Sequence, residues 1–463
     1  MSQPRPHAPF AARLLAFTIA VTAIFDMLVM GLLRRAFANA GPDAAWEFRS
    51  DLFGLLEMAS RGGILFAVLL ACLAVIAALR YRRDVEDDLT RNLALGAAVT
   101  LGLEVARQVA LELLTIYSVP TMTGVSGAEW AAYMQWWSVG GMVVASGALA
   151  LVVWMTARTE QAITRERPTW ALVAGASIAA YVVGWLIIDV LDIRRDPFAG
   201  LTLIDLVYWL GPVAALATAI GLVVHAGRIR SGEPDSAWGR AAGGLGRYKR
   251  ATALRLLLAV FTGLFITLAR TSLSPLVLAG TLGTLALVGV IISLVQIAGL
   301  VRLADAPTPP AALAFALPLF GLGVAFECVT IVPIASFVST GGGNYSEMRF
   351  ANLTELGLLT QALGIVTAIA LLLALRGLAL AREAPAVVRR CTVLLVTLLT
   401  TIAMIGAAAY ALPKLRIDRD TAEIILLVGG AALLIVAIFI LVSYFRTLTR
   451  LQDAMTRRVG PGT

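Results

Sequence analysis

The stretch Trp170–Ile188, WALVAGASIAAYVVGWLII, runs for 19 residues without a charged side chain. As an α-helix it is about 28 Å long at 1.5 Å per residue, close to the roughly 30 Å of a bilayer's hydrocarbon core. In lipid, each peptide N–H and C=O needs a partner within the segment, and a helix supplies it. Arg165 and Arg167 precede the stretch and Asp189 follows it, so charge returns where the apolar run stops.

Windows of this kind recur along the chain. They are placed near 12–33, 62–79, 93–117, 131–157, 170–191, 204–227, 254–269, 275–301, 312–338, 353–375, 392–412 and 422–445. The reading is an all-α, polytopic integral membrane helix bundle of about twelve transmembrane helices, forming a single membrane domain over residues 1–463. The seventh window is short. With the eighth it reads as a tight hairpin through Arg270–Pro275, or one of the two is re-entrant. Residues 43–60 read as an amphipathic helix lying on the outer surface. Ser126 and Glu129 have the spacing of a capping box opening the fourth helix.

Composition agrees with lipid as the main solvent. Of 463 residues, 59% are hydrophobic and 14% charged, against roughly 25% charged in soluble domains. The net charge of +8 is spread over many loops and not massed on one face, which argues against a nucleic-acid partner. Only Lys249 and Lys414 are lysines among 37 basic residues, a skew expected of a GC-rich bacterial genome. Membrane lipids are the expected partners, with membrane-protein subunits or further copies of the chain beside them.

Orientation follows from the basic residues. With loops assigned alternately, the side that holds both termini collects 25 Lys/Arg and the other side 11, with Arg107 inside a helix. Both termini are therefore expected in the cytoplasm, in a cell (inner) membrane. The N-terminus imitates a signal peptide. Its apolar run of about 20 residues exceeds the usual 7–15, contains Asp26, and is followed by Arg34 and Arg35, which argues against cleavage.

Basic residues that end the even-numbered helices are evenly spaced. Arg80, Arg228 and Arg376 lie 148 apart, and Arg158, Arg302 and Arg446 lie 144 apart. This spacing suggests three parallel four-helix repeats over 10–160, 168–303 and 311–450, related by an axis along the membrane normal.

Ionised side chains in a span are costly and face protein or water. The densest set is on the third helix, where Thr100, Glu104, Arg107, Gln108, Glu112 and Thr115 share one arc of roughly 140°. Glu104 and Arg107, at i and i+3, can pair; the set reads as a structural lock or as the lining of a hydrophilic pathway. Asp26 and Glu327 each stand alone in an apolar helix, as carboxylates that could titrate usefully or bond a neighbouring helix. Asp189, Glu57, Asp205 and Glu355 lie near the outer interface, where solvated capping is the simpler role.

Motifs for chemistry are missing. There is no HExxH, no GxSxG and no phosphate loop at Gly341-Gly342-Gly343-Asn344. His7 and His225 are too few for haem or a histidine-rich metal site, and Cys72, Cys328 and Cys391 form no framework. No cofactor and no catalytic residue is assigned. The sequence ranks a transporter or channel with membrane-buried carboxylates, proton- or cation-coupled, above a structural, assembly or sensory subunit. An enzyme acting on lipid-linked substrates comes third.

Overall fold

The computed structural model describes residues 8–27, 46–118, 127–190, 203–229, 234–269, 275–339, 350–411 and 419–456. Within these ranges the side chains of 46–58, 111–118, 127–136, 203–206, 350–359, 419–427 and a few scattered positions are outside the description.

All regular structure among the described residues is helical, in twelve helices. They are α1 (Ala8–Phe25), α2 (Trp46–Asp84), α3 (Asp88–Ser118), α4 (Gly127–Thr164), α5 (Thr169–Val190) and α6 (Leu203–Arg228), followed by α7 (Pro234–Ala269), α8 (Pro275–Leu303), α9 (Ala311–Ser339), α10 (Phe350–Ala381), α11 (Pro385–Ala411) and α12 (Arg419–Thr456). Eleven are long and apolar enough to cross a membrane. The exception is α7, which carries Arg240, Arg247, Lys249, Arg250 and Arg255. The chain is thus an all-α bundle of the multi-pass membrane class.

Several helices run longer than their apolar windows, because an α-helix continues until a breaker stops it and charge alone does not. The surface helix expected at 43–60 is the first part of the 39-residue α2. Helix α4 starts one residue after Ser126 and has 38 residues, about 57 Å at the standard rise. It reaches seven residues beyond the Ala157 at which its window closes. Neither the seventh nor the eighth segment is broken: α7 has 36 residues and α8 has 29.

The chain packs as two compact units. Unit 1 comprises Met1–Gly232, Leu258–Ile291 and Gly321–Thr360; unit 2 comprises Glu233–Leu257, Ile292–Phe320 and Gln361–Thr463.

In unit 1, α1 packs against both α2 and α6, and further contacts join α2–α3, α3–α4, α4–α5, α5–α6 and α4–α6. Helix α1 is apolar on all sides apart from Arg13, and such a helix belongs at a centre; 72% of it is buried, the highest share among the candidate spans. Its hydroxyls are answered by its own backbone, Thr18 donating to the Leu15 carbonyl and Thr22 to that of Thr18, both at 2.9 Å. Its first N–H, at Ala8, donates to the Asp84 carboxylate at 2.8 Å. Phe25 packs between Phe66 of α2 and Phe326 of α9, with ring centroids 5.9 and 6.4 Å away.

Asp87 closes the start of α3 and ties it to α4. Its carboxylate accepts from the Thr90 hydroxyl at 2.7 Å, the Thr90 N–H at 3.2 Å and Arg158 of α4 at 2.9 Å. This is an N-cap with a guanidinium added. The Thr90 hydroxyl foremost, then Arg158, lower the Asp87 carboxyl from 3.8 to about 2.

Unit 2 is built on a core of Leu245 (α7), Leu303 (α8), Leu313 (α9), Leu375 (α10), Cys391 (α11) and Leu451 (α12). A close seam joins α7 and α8. A Cβ on Gly244 would stand 2.7 Å from the Gly299 carbonyl oxygen, and one on Gly299 would stand 2.8 Å from the Tyr248 nitrogen. Backbones this close exclude any side chain.

Two outcomes are expected. Gly244→Ala should destabilise the detergent-solubilised protein by about 1–3 kcal/mol, as overpacking does. Gly243→Ala, whose Cβ meets no atom within 4 Å, should be neutral or slightly stabilising; equal melting temperatures would refute the close seam. Asp87, with its pKa depressed on folding, contributes stability that is present above 3.8 and lost as pH falls through about 2. Carboxyl NMR should find Asp87 titrating near 2, and Thr90→Val should move it towards 3.8. A wild-type value of 3.8 would mean that the cap is not formed.

Candidate functional site

Two charged clusters lie inside unit 1, and they are built differently. The first is the α3 stripe. Glu104 and Arg107 make a bidentate pair, Arg107 donating to the two carboxylate oxygens at 2.6 and 2.8 Å. The Gln108 amide donates to Glu104 at 2.8 Å. Arg107 also reaches α4, where it donates to the Trp137 carbonyl at 3.4 Å and stands 5.9 Å from the Trp137 ring centroid. A Cβ on Gly141 would lie 2.6 Å from the guanidinium carbon, so this glycine leaves room for the arginine. Thr100 is turned to its own helix and donates to the carbonyls of Gly96 and Ala97. The Gln108 Oε1 is buried with no hydrogen-bond partner among the described residues. The side chains of Glu112 and Thr115 are outside the described residues.

The remaining candidates do not join this stripe. Asp26 is exposed, in the wider turn that follows α1, and Glu327 is half-buried on α9, so neither is sealed from its surroundings. Asp189, Glu57, Asp205 and Glu355 sit in α5, α2, α6 and α10 at positions whose side chains are outside the described residues.

The second cluster gathers residues from four helices at one end of unit 1. Glu160 lies in the last turns of α4, and neither it nor His225 of α6 has any exposed side-chain surface. One carboxylate oxygen accepts from Arg228. The other accepts from the Trp170 indole N–H of α5 at 2.9 Å and faces His225 Nδ1 at 3.1 Å. The far imidazole nitrogen, Nε2, is 2.9 Å from the Tyr81 hydroxyl of α2, and Tyr81 is fully buried. The result is a continuous chain from phenol to imidazole to carboxylate, ending on a guanidinium that is 44% exposed.

Local structure makes this convergence possible. Helix α4 stops after Thr164, where Arg165 takes a left-handed conformation with φ 60° and its N–H donates to the Gln161 carbonyl at 2.9 Å. This C-cap turns the chain sharply, so that Trp170, in the first turn of α5, comes back over Glu160. On α6, His225 and Arg228 are at i and i+3 and share a face. One turn before His225, a Cβ on Gly221 would stand 2.0 Å from the Trp170 ring. Only a glycine lets the indole lie flat enough on α6 to reach the carboxylate.

The chemistry available here is proton handling. A neutral imidazole donates through one nitrogen and accepts through the other. With Nδ1–H directed at Glu160, Nε2 accepts the Tyr81 proton; the opposite tautomer reverses both. Among the described residues no three His, Cys, Asp or Glu stand together as a metal-holding group.

Sequence reading missed this network. Closing the fourth window at Ala157 put Glu160 in a loop, and His225 was weighed only as a metal or haem ligand. The one local sign is His225 with Arg228 at the end of a helix whose only other charged residue is Asp205.

Fold and clusters together define a multi-pass helical membrane protein with a largely buried, hydrogen-bonded ionisable network at one end of its first unit. No protein-family model, curated protein or solved structure matches this chain.

Removing single members should separate their weights. Tyr81→Phe should cost about 0.6 kcal/mol, typical of interhelical hydrogen bonds in membrane bundles. Glu160→Ala should cost about 3–5 kcal/mol, since it leaves buried donors and a charged partner unanswered. Gly221→Ala should resemble the loss of the Trp170 bond. Thermal melts in detergent measure all three, and a Glu160→Ala as mild as Tyr81→Phe would show that the network is not closed.

Proposed function

We propose that this chain is a transport protein, carrier or channel, of a bacterial inner membrane, coupled to protons or cations through membrane-embedded ionisable groups. The observation that carries the reading is the Tyr81–His225–Glu160 chain. Ionisable residues inside a bundle are costly, and they mark ion or proton pathways. Imidazole is the side chain that ordinarily changes charge near neutral pH. Here it lies between two groups able to give or take a proton, and Arg228 links the inner end to an exposed surface. A proton taken at one ring nitrogen can be passed on from the other, so the chain can relay one without any side chain crossing the bundle.

A structural or assembly subunit is the second reading, favoured by the Glu104–Arg107 pair. That pair satisfies itself on one helix and docks on α4, as a fixed seam requires. Both readings share the proposed orientation, with N- and C-termini in the cytoplasm, supported by the excess of Lys/Arg on one set of loops.

The test is flux. With the full chain in proteoliposomes containing a pH-sensitive dye, wild type should move protons under an imposed gradient or together with a member of a panel of cations, sugars and amino acids. Glu160→Gln and His225→Phe should lower that flux at least tenfold, while Arg82→Gln should not. Wild-type flux no greater than that of empty liposomes across the panel would overturn the transport reading, and co-purification of stoichiometric partners would then favour the second. Orientation is checked by reporter fusions at both ends; an external reporter at either end refutes it.

A further inference from the structure

In unit 2, helices α7 and α12 pack antiparallel. Lys249 of α7 donates to Thr449 and Gln452 of α12, at 3.3 and 3.1 Å, and the Tyr248 and Tyr444 hydroxyls meet at 3.0 Å. Both helices turn Thr449, Gln452, Gly246 and Lys249 towards the seam. At 100° per residue, Arg247 and Arg250 then fall to one flank of α7, and Arg446 and Arg450 fall to the same flank of the pair from α12.

These four arginines are exposed, and none makes an ion pair among the described residues. The nearby carboxylate, Asp453, is also exposed and unpaired. With Lys249, five cations therefore stand against one acid among the described residues of this flank. Charge of one sign gathered this closely repels itself unless an anion answers it.

What lies beside the arginines identifies that anion. Along α7 from Arg250, the positions i+4 and i+7 are Leu254 and Leu257, exposed by 54% and 66%. Along α12 back from Arg446, the positions i−4, i−7 and i−11 are Val442, Phe439 and Ile435, exposed by 44%, 55% and 69%. Each helix thus presents, on one face, a cationic end that passes within a turn into bare apolar surface. A soluble acidic partner would leave that surface uncovered. A lipid covers both, with phosphate at the arginines and acyl chains along the leucines and Phe439.

We propose that this flank of the α7–α12 pair is a binding site for an anionic phospholipid, with Arg250, Arg446 and Arg450 around the headgroup phosphate and Lys249 behind them. The site depends on the chain lying in a membrane and is independent of the transport reading, so proton flux and lipid retention can fail separately.

The experiment uses the full chain, purified in neutral detergent and offered equal amounts of dioleoylphosphatidylglycerol and dioleoylphosphatidylcholine, with bound lipid read by native mass spectrometry. Phosphatidylglycerol should be retained preferentially. Arg446→Gln with Arg450→Gln should lower its retention about fivefold for each cation removed, while Arg446→Lys with Arg450→Lys should keep most of it. Arg82→Gln with Arg83→Gln, at the end of α2 in unit 1, should change nothing, and every variant should melt as wild type does. Equal retention of the two lipids, an equal loss in the unit 1 control, or displacement by millimolar inorganic phosphate would each overturn the proposal. The last would indicate a site for a small anion.

Discussion

Glu160 imposes the strictest requirement in unit 1. A carboxylate without exposed surface needs a donor for nearly every lone pair, because each unanswered one costs far more in a low-dielectric interior than a made bond returns. No single helix can supply those donors. Arg228 and His225 come from α6, Trp170 from α5, and the chain continues to Tyr81 on α2. The ends of four helices are thereby brought to one place, and the left-handed turn at Arg165 and the bare backbone at Gly221 follow from the same demand. The N-terminus of α1 joins this end through the Ala8–Asp84 bond, and the start of α3 through the Asp87–Arg158 clamp.

The two charged clusters show how differently a membrane bundle can use charge. Glu104 and Arg107 answer each other across one turn of one helix, so their pairing needs no neighbour, and α4 adds only a carbonyl and an aromatic face. Such a pair can be inserted already neutralised. The Glu160 network exists only once the bundle has assembled, and it places an imidazole between a phenol and a carboxylate. That contrast makes the second cluster the better candidate for proton handling and the first the better candidate for holding a seam.

Unit 2 handles charge differently again. Its core is apolar, with backbone on backbone at Gly244 and Gly299, and the four arginines of the α7–α12 flank take no part in an ion pair among the described residues. They stand instead on the surface, at the level where exposed apolar side chains begin. The two clusters of unit 1 spend their charge within the protein, whereas on the α7–α12 flank it is directed outwards to whatever surrounds the bundle.

The number of helices, their apolar character and the local Glu104–Arg107 pair were legible because each follows from short-range rules. A run such as 170–188 has one satisfactory form in lipid, and residues three apart on a helix meet whatever the fold. Helix ends were less legible: the window at 131–157 closed where hydrophobicity fell, while the helix continued to Thr164 and carried Glu160 inward. The burial of α1 at the centre of unit 1 was legible only as an all-round apolar segment, without its neighbours. The convergence of Tyr81, Glu160, Trp170 and His225, and the shared flank of Arg250 and Arg446, were decided by tertiary structure alone. Their members lie tens to hundreds of residues apart, and only the packing of particular helices sets which distant side chains share a dielectric environment.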